Sequence, residues 1–384
     1  MTGSSFAEID LTALEENLFQ VRNQVGDCPI LAVVKANAYG HGAVEVARFL
    51  SGCRANVSLF GVAFIEEGLA LREAGITEPI LLLTGCPKEL IPDLIQHQLT
   101  PVVFDLETLT AINREAMKAG KRVNVHLKVD TGMGRLGIVP ADVHTFMEKA
   151  HACPMISVEG LLTHFAEADF TDLSFARKQL DSIKGVIAEL SQKGVVIPFC
   201  HLSNSAAVLH FKASHLDLVR PGLMLYGYSS LSGSSAPRCE EKEISLTLKP
   251  VMRVKARILA LKTVPKGTSI SYGRTFVTVR ESRIATVAIG YADGYPFSLS
   301  NRGIMIAKGT VVPVVGRVCM DMTMLDVTEV PALSTNDWVT VIGAEGGSAI
   351  WADRLAQLAN THTYEILCGI GPRVERRYVR TSIH

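Results

Sequence analysis

The sequence has no surplus of charge: 38 lysines and arginines balance 38 aspartates and glutamates. It also has no long basic run, which argues against a phosphate-backbone binder, and no nucleic-acid partner is expected. No uninterrupted apolar run is long enough to span a bilayer, which argues against a membrane anchor. The opening MTGSSFAEID has neither a basic n-region nor an apolar h-region and does not read as a signal peptide. None of the eight cysteines (Cys28, Cys53, Cys86, Cys153, Cys200, Cys239, Cys319, Cys368) belongs to a CxxC pair. In a chain of 384 residues such scattered cysteines read as reduced core residues of a cytoplasmic protein, and no metal site is assigned. No repeat of fixed solenoid period is found.

What the chain does have is apolar material, 48% of its residues against 20% charged, enough for two globular domains. Up to about residue 228, eight short apolar runs alternate with helical patterns: Ile30–Val34, Leu59–Phe64, Ile80–Leu83, Pro101–Phe104, Val123–Val129, Ile156–Leu162, Val195–Phe199 and Leu216–Val219. Continuous apolar runs of this length fit strands buried on both faces. Thr12 and Glu15 have the spacing of a capping box for the first helix. Leu180, Ile183, Ile187 and Leu190 mark the core stripe of a later one. Eight strands alternating with helices predict an α/β fold with an N-terminal (β/α)8 TIM-type barrel over residues 1–237. A doubly wound open sheet is the alternative.

A Ser- and Pro-containing stretch, YSSLSGSSAPRCEEKEIS, reads as a linker. Beyond it the period changes to two, as in LKPVMRVKARILALKTV, RIATVAIGYA, GTVVPVVGRV and DWVTVIG. Residues 238–384 therefore read as a mainly antiparallel β domain, with one helix pattern from Trp351 to Ala359.

In a barrel, catalytic groups sit at the C-terminal ends of the strands. Read in order, those ends carry Lys35, Lys128 with Arg135 just beyond, His164, Ser203-Asn204-Ser205, and Arg220. A lone lysine ending a strand would simply snorkel into water, and a lone histidine would be a satisfied core residue. Titratable groups clustered on one rim point instead to a site. GMGRLG, Gly132 to Gly137, matches the dinucleotide-binding pattern, but the helix pattern starts only near Ala141. Those glycines are read as a tight turn that aims Arg135.

At this point AVVKANAYGHG resembles the cofactor-lysine motif of bacterial alanine racemases. LKVDTGMGRLG, GLLTHFAEAD, HLSNSAAVLH, VRPGLMLYG, ISYGRTF, GYADGYP, GRVCMD and TYEILC resemble that family's other motifs in the same order, over essentially the whole chain apart from the linker. The resemblance implies interconversion of L- and D-alanine with pyridoxal 5'-phosphate held as a Schiff base (aldimine) on Lys35, supplying D-alanine for peptidoglycan. It also implies a cytoplasmic homodimer with shared active sites. The chemistry fits: inverting an amino-acid centre requires the cofactor as electron sink and two acid/base groups on opposite faces of Cα. Lys35 is one. The resemblance makes Tyr272, from the partner subunit, the other. Tyrosine normally titrates at about 10, so cationic neighbours must lower it, and His164 and Arg220 are the candidates.

By the same resemblance Arg220 faces the ring nitrogen, Arg135 approaches the phenolic oxygen and the substrate, and His164 stacks on the ring. Lys128 resembles the family's carbamylated lysine. Asn204, Ser205, Gly222, Leu223, Tyr39 and Tyr364 are expected around the phosphate. Met320 is expected to meet the substrate carboxylate, and Tyr291 to line the entry corridor. Tyr364 also narrows the pocket toward a small side chain. One departure is Phe297, where the family often has arginine; another is Glu375 in place of a common proline. The alternatives are a racemase of serine or of broader range, or a decarboxylase of similar architecture. A decarboxylase places an acid at the ring nitrogen, and Arg220 speaks against that.

Overall fold

The computed structural model describes residues 3–229 and 247–380. Most of the expected linker, and Cys239 with it, lies outside the described residues. The chain divides into two compact units. One comprises Glu15–Ala38 and Ala43–Leu248; the other comprises Met1–Leu14, Tyr39–Gly42 and Lys249–His384.

The chain opens with strand β1 (Ser5–Asp10) and helix α1 (Leu11–Val25). Asp10, not Thr12, caps this helix: its Oδ1 accepts from the amides of Thr12 at 3.0 Å and Ala13 at 3.1 Å. The capping box expected from Thr12 and Glu15 yields because an aspartate two residues earlier already takes the first-turn donors.

Seven parallel strands follow: β2 (Leu31–Val33), β3 (Leu59–Val62), β4 (Ile80–Leu82), β5 (Thr100–Val103), β6 (Val123–Lys128), β7 (Ile156–Leu162) and β8 (Phe199–His201), each paired with the next in sequence. The eighth stave is the segment that contains the run Leu216–Val219. The Val219 amide donates to the Pro29 carbonyl at 3.0 Å, and the Leu31 amide to the Val219 carbonyl at 2.9 Å. On the other side the amides of Asp217 and Arg220 reach the carbonyls of Cys200 and Ser203 at 3.1 and 2.9 Å. The sheet thus joins its first strand to its last, which is the expected barrel and not an open doubly wound sheet.

One strand is displaced from expectation. The run Val195–Phe199 yields a strand only from Phe199. The Val195 amide is spent on the Leu190 carbonyl, closing the preceding helix, and Pro198 has no amide to give. That helix, Ser174–Gln192, buries Ala176, Gln179, Leu180, Ile183, Val186 and Leu190, while Ile187 is half-buried.

In the second unit the long strand β9 (Met252–Val264) organises the sheet. β1 runs antiparallel to it and parallel to Glu375–Val379. Residues 1–14, read from sequence with the barrel, are therefore grouped with the β unit. Ser282–Val287 and Trp338–Glu345 flank β9, both antiparallel. Two helices interrupt the sheet where one was expected, Ala352–Ala359 and Thr363–Gly369. Tyr39–Gly42 is anchored here too. Arg376 Nε donates to the Gly40 carbonyl at 3.0 Å, and the Tyr378 hydroxyl to the His41 carbonyl at 3.2 Å. A Cβ on Gly40 would sit 2.2 Å from the Leu367 carbonyl, so only glycine allows this approach.

Of the seven described cysteines, only Cys53 and Cys200 are core residues; Cys368 is exposed. Among the described residues no helix is long and apolar enough to cross a membrane.

Candidate active site

Lys35 stands two residues past the end of β2, half-buried on the barrel's C-terminal rim. The backbone after it is unusual. Ala36, Asn37, Ala38 and Tyr39 have φ of 51°, 53°, 54° and 50°, a left-handed turn built without glycine. Left-handed helical geometry costs roughly 1–2 kcal/mol per residue, so its surroundings must enforce it. Glu67 does this on one side: Oε1 accepts from the Ala36 amide at 2.5 Å, while Oε2 accepts from Ala63 and Phe64 at 2.7 and 3.3 Å. Within the turn the Ala38 amide reaches the Val34 carbonyl at 2.8 Å, and Asn37 Oδ1 takes the Ala43 amide at 2.9 Å. In the β unit, the Tyr39 ring at the end of this turn lies 5.6 Å from that of Tyr364.

Arg220 is 5% exposed and bonded on several sides. Nη1 donates to His201 Nδ1 at 2.7 Å. Nη2 donates to the carbonyls of Thr163 and Leu202 at 2.8 and 3.0 Å and faces His164 Nδ1 at 3.3 Å. Burial lowers it to about 10, still a cation at neutral pH.

Lys128, the last residue of β6, is 7% exposed. Burial, followed by the charges of Arg220, Arg135 and Lys35, lowers it to about 8; Asp130 opposes the shift. His164 is pushed well below its usual range by burial, then by Arg220, Lys128, Arg135 and Lys35. It is therefore neutral, and the expectation that it could serve Tyr272 as a cationic neighbour is corrected: a ring among four cations does not take a fifth positive charge. Gln179 holds the His164 segment, donating to its carbonyl at 3.0 Å and accepting from the Ala166 amide at 3.0 Å.

The glycines of GMGRLG serve a loop. Asp130 Oδ1 gathers the amides of Gly132, Met133 and Gly134 at 2.8–3.1 Å, and the chain returns to pair Ile138 with the β6 end. No helix opens inside the motif. Arg135 rides exposed on this loop.

After β8, Asn204 caps the short helix Ser205–His210, its Oδ1 accepting from the Ala207 amide at 3.0 Å. Ser205 Oγ accepts from the amides of Gly222 at 2.9 Å and Met224 at 3.3 Å. Two donors on that oxygen leave its own hydrogen to be donated elsewhere. Gly222's amide is thus engaged by Ser205 rather than held open, and Leu223 is buried beside it. Ser203, on the same rim, is tied to Ser214 at 2.6 Å and serves packing.

In the β unit, Tyr272 is 71% exposed on a turn with φ of 64° at Ser271, 71° at Gly273 and 50° at Arg274. Ser271 Oγ donates to the Arg317 carbonyl at 2.7 Å, which ties this turn to the Cys319–Met320 loop. That loop in turn receives the amides of Tyr291 and Ala292 at 3.0 Å each. A Cβ on Gly290 would meet the carbonyls of Cys319 and Met320 at 2.3 Å. Tyr272, Tyr291 and Met320 are so gathered within one unit. Phe297 lies edge-on to Tyr291, with centroids 6.4 Å apart.

Two family models match the chain end to end: the alanine racemase N-terminal domain over residues 9–230 and the alanine racemase C-terminal domain over residues 251–378. The chain belongs to the alanine racemase family. It is 45% identical over 379 residues to an alanine racemase of Halothermothrix orenii, covering 98% of this chain and 97% of that one. Among solved structures, alanine racemase of Clostridium difficile 630 superposes with a TM-score of 0.92 at 37% identity, over 99% of this chain and 97% of that one. A Bartonella henselae alanine racemase described with covalently bound pyridoxal phosphate superposes at 0.86 with 30% identity, over 98% and 100%. Within this alanine racemase family chain, the barrel brings Lys35, Lys128, Arg135, His164 and Arg220 into one electrostatic cluster, as the strand ends suggested. Glu67, Gln179 and His201 went unassigned in the sequence reading. His201 opens the quoted HLSNSAAVLH and could have been found there; Glu67 and Gln179 lie in ordinary helix patterns and give no signal.

Proposed function

We propose that this protein interconverts L- and D-alanine using pyridoxal 5'-phosphate, as a cytoplasmic homodimer whose β unit completes the partner's site. The observation that carries the reading is the rim cluster: Lys35, Lys128, Arg135 and Arg220 crowd round His164, and Asp130 acts on Lys128 against them. Crowded cations of this kind suit an anionic ligand, and the Ser205 hydroxyl adds a donor suited to a phosphate oxygen. The residues fit the cofactor.

Pyridoxal phosphate supplies, when bound, an electron sink that makes the α-proton of an amino acid removable. Lys35 would hold it covalently until the substrate's amine takes that place, and its freed amine would then move a proton on one face of Cα. Tyr272 Oη moves the proton on the other face, presented from the partner subunit. Arg220, fixed by His201 and two carbonyls, keeps a permanent cation at the ring nitrogen and so limits transamination. His164, neutral, stacks on the ring. Arg135 reaches the phenolic oxygen and the substrate carboxylate, where Met320 adds its amide. Lys128 at about 8 carries a neutral fraction near pH 7, the form able to take up carbon dioxide; the resulting carbamate would hold Arg135. The Ser205 hydroxyl would donate to the phosphate, with Asn204, Gly222 and Leu223 shaping the rim beside it. Tyr291 lines the entry, and Tyr364 limits side-chain size. A pocket that makes no hydrogen bond to an added hydroxyl rejects it by only about a hundredfold, so serine is a slow second substrate. D-alanine made in this way serves peptidoglycan.

A panel of L-amino acids, assayed for racemisation by chiral chromatography, tests the reading. Alanine first and serine second is the expected order. Turnover of a basic amino acid alone, or carbon dioxide release without racemisation, would overturn it.

A further inference from the structure

A line of polar groups descends from Arg220 into the barrel, and its part beyond His201 has no role in the chemistry above. Arg220 Nη1 donates to His201 Nδ1 at 2.7 Å, and His201 Nε2 lies 2.8 Å from His126 Nδ1. His126 Nε2 faces Glu159 Oε1 at 3.4 Å, longer than a well-formed hydrogen bond, and has no hydrogen-bond partner among the described residues. Asn124 Nδ2 steadies the other Glu159 oxygen at 2.5 Å. Both imidazoles are fully buried.

We propose that Glu159, His126 and His201 form a one-way polar line, hydrogen-bonded from Arg220 to His126 and ended by the Glu159 carboxylate facing His126 Nε2, that fixes how Arg220 presents its guanidinium, which makes Glu159 and His126 positioning residues of the site. The role rests on the reading that Arg220 meets the cofactor ring.

Donor and acceptor identities permit one arrangement. Guanidinium only donates and carboxylate only accepts. His201 must therefore accept at Nδ1 and carry its proton on Nε2. His126 then accepts at Nδ1 and carries its proton on Nε2, aimed at Glu159. A second proton on His201 would set two donors face to face. The backbone is built round the line. A Cβ on Gly160 would lie 2.1 Å from His126 Nδ1, so glycine alone admits the ring. A register shift between Val125 and His126 turns that residue inward, and Phe199 stacks beside it at 6.4 Å and 15°. A buried polar group without a partner is destabilising, so two fully buried imidazoles require pairing of this kind.

The test has two parts. In histidine-labelled protein, long-range proton–nitrogen NMR should show His201 and His126 both neutral with the proton on Nε2. An Nδ1–H tautomer or a doubly protonated ring at either position would overturn the line. Glu159→Gln keeps an acceptor oxygen and should hold both tautomers and the transamination share within about twofold of the parent. Glu159→Leu removes the acceptor. It should change the His126 signals and shift the absorption of bound cofactor. It should also raise the transamination share about tenfold, as expected of a misplaced group. Unchanged tautomers, spectrum and share in a folded Glu159→Leu protein would contradict the proposal. Should that variant fail to fold, the parent tautomers and the glutamine variant decide. Absence of racemisation in the parent would refute the proposed function, while the tautomer result would still judge the line.

Discussion

The barrel and the β unit treat their functional side chains in opposite ways. In the barrel, Arg220, His201 and Lys128 are 5%, 0% and 7% exposed, and Arg220 and His201 are fixed by named partners. In the β unit, Tyr272, Met320 and Tyr291 are 71%, 53% and 45% exposed. The barrel groups must hold perturbed proton affinities, which needs burial and neighbouring charge. The β-unit groups are held by their backbone turns and left facing outward, as befits residues that a second surface completes. Under the proposed function, one half of the chemistry is preorganised in the barrel and the other half awaits a partner subunit.

The largest effect should come from breaking the buried half. Lys35→Ala should lower racemisation by at least about a thousandfold, the scale of losing a covalent catalytic group. Borohydride treatment of the parent should fix pyridoxal phosphate to Lys35 in peptide maps. An adduct on Lys128 or Lys255 would refute the assignment.

Next comes the exposed half. Tyr272→Phe keeps the ring and removes the ionisable oxygen. In deuterated water it should block L-to-D conversion while Lys35 still exchanges the α-proton of D-alanine without inversion. NMR of each enantiomer reads this, and equal exchange into both would show that Tyr272 is not the second base.

A smaller effect is expected at Arg220. Arg220→Glu replaces a cation by an anion beside the ring nitrogen and raises that nitrogen's proton affinity. Transamination should grow as a fraction of turnover while racemisation falls. A constant partition with cofactor still bound would place Arg220 elsewhere.

The smallest concerns stability against acid. Burial first, and then Arg220, lower both His164 and His201. The folded chain keeps them neutral, whereas an unfolded histidine takes a proton at about pH 6.5. Below that pH the unfolded state binds more protons, so stability falls as pH falls, by up to about 1.4 kcal/mol per pH unit for each ring. Calorimetry from about pH 7.5 to about pH 5.5 should show a falling melting temperature, flatter in His201→Gln. Equal slopes in the two proteins would contradict the assignment.

Much of this was legible in the sequence for physical reasons. Strands buried on both faces write continuous apolar runs, so seven of the eight staves were placed nearly where they occur. Val195–Phe199 misled because an apolar run says nothing about which amides are free, and Pro198 has none. β1 was grouped with the barrel because no local pattern in SFAEID records that its neighbours lie at residues 252–264 and 375–379. The left-handed turn at Ala36–Tyr39 is silent in sequence because it contains no glycine before Gly40. Its clamp, Glu67, looks like any acid in a first helical turn. Lys35, Lys128 and Arg220 were legible from chemistry alone, as charges ending apolar runs. Tyr272, Tyr291 and Met320 were legible only through resemblance, because exposed residues on turns carry no periodic signal. His126 and Glu159 did leave a trace: each is a polar residue set inside a strand run, in VNVHLK and ISVEGLL.

Subunit mixing tests the division of labour most directly. Lys35→Ala and Tyr272→Phe proteins, each inactive alone, are allowed to exchange subunits. If the buried half of one chain works with the exposed half of another, each mixed dimer contains one site carrying both defects and one carrying neither. Racemisation should then reappear, at about one working site per mixed dimer, as expected of a two-fold shared interface. No recovery after exchange has been verified by mass would contradict a site shared between subunits.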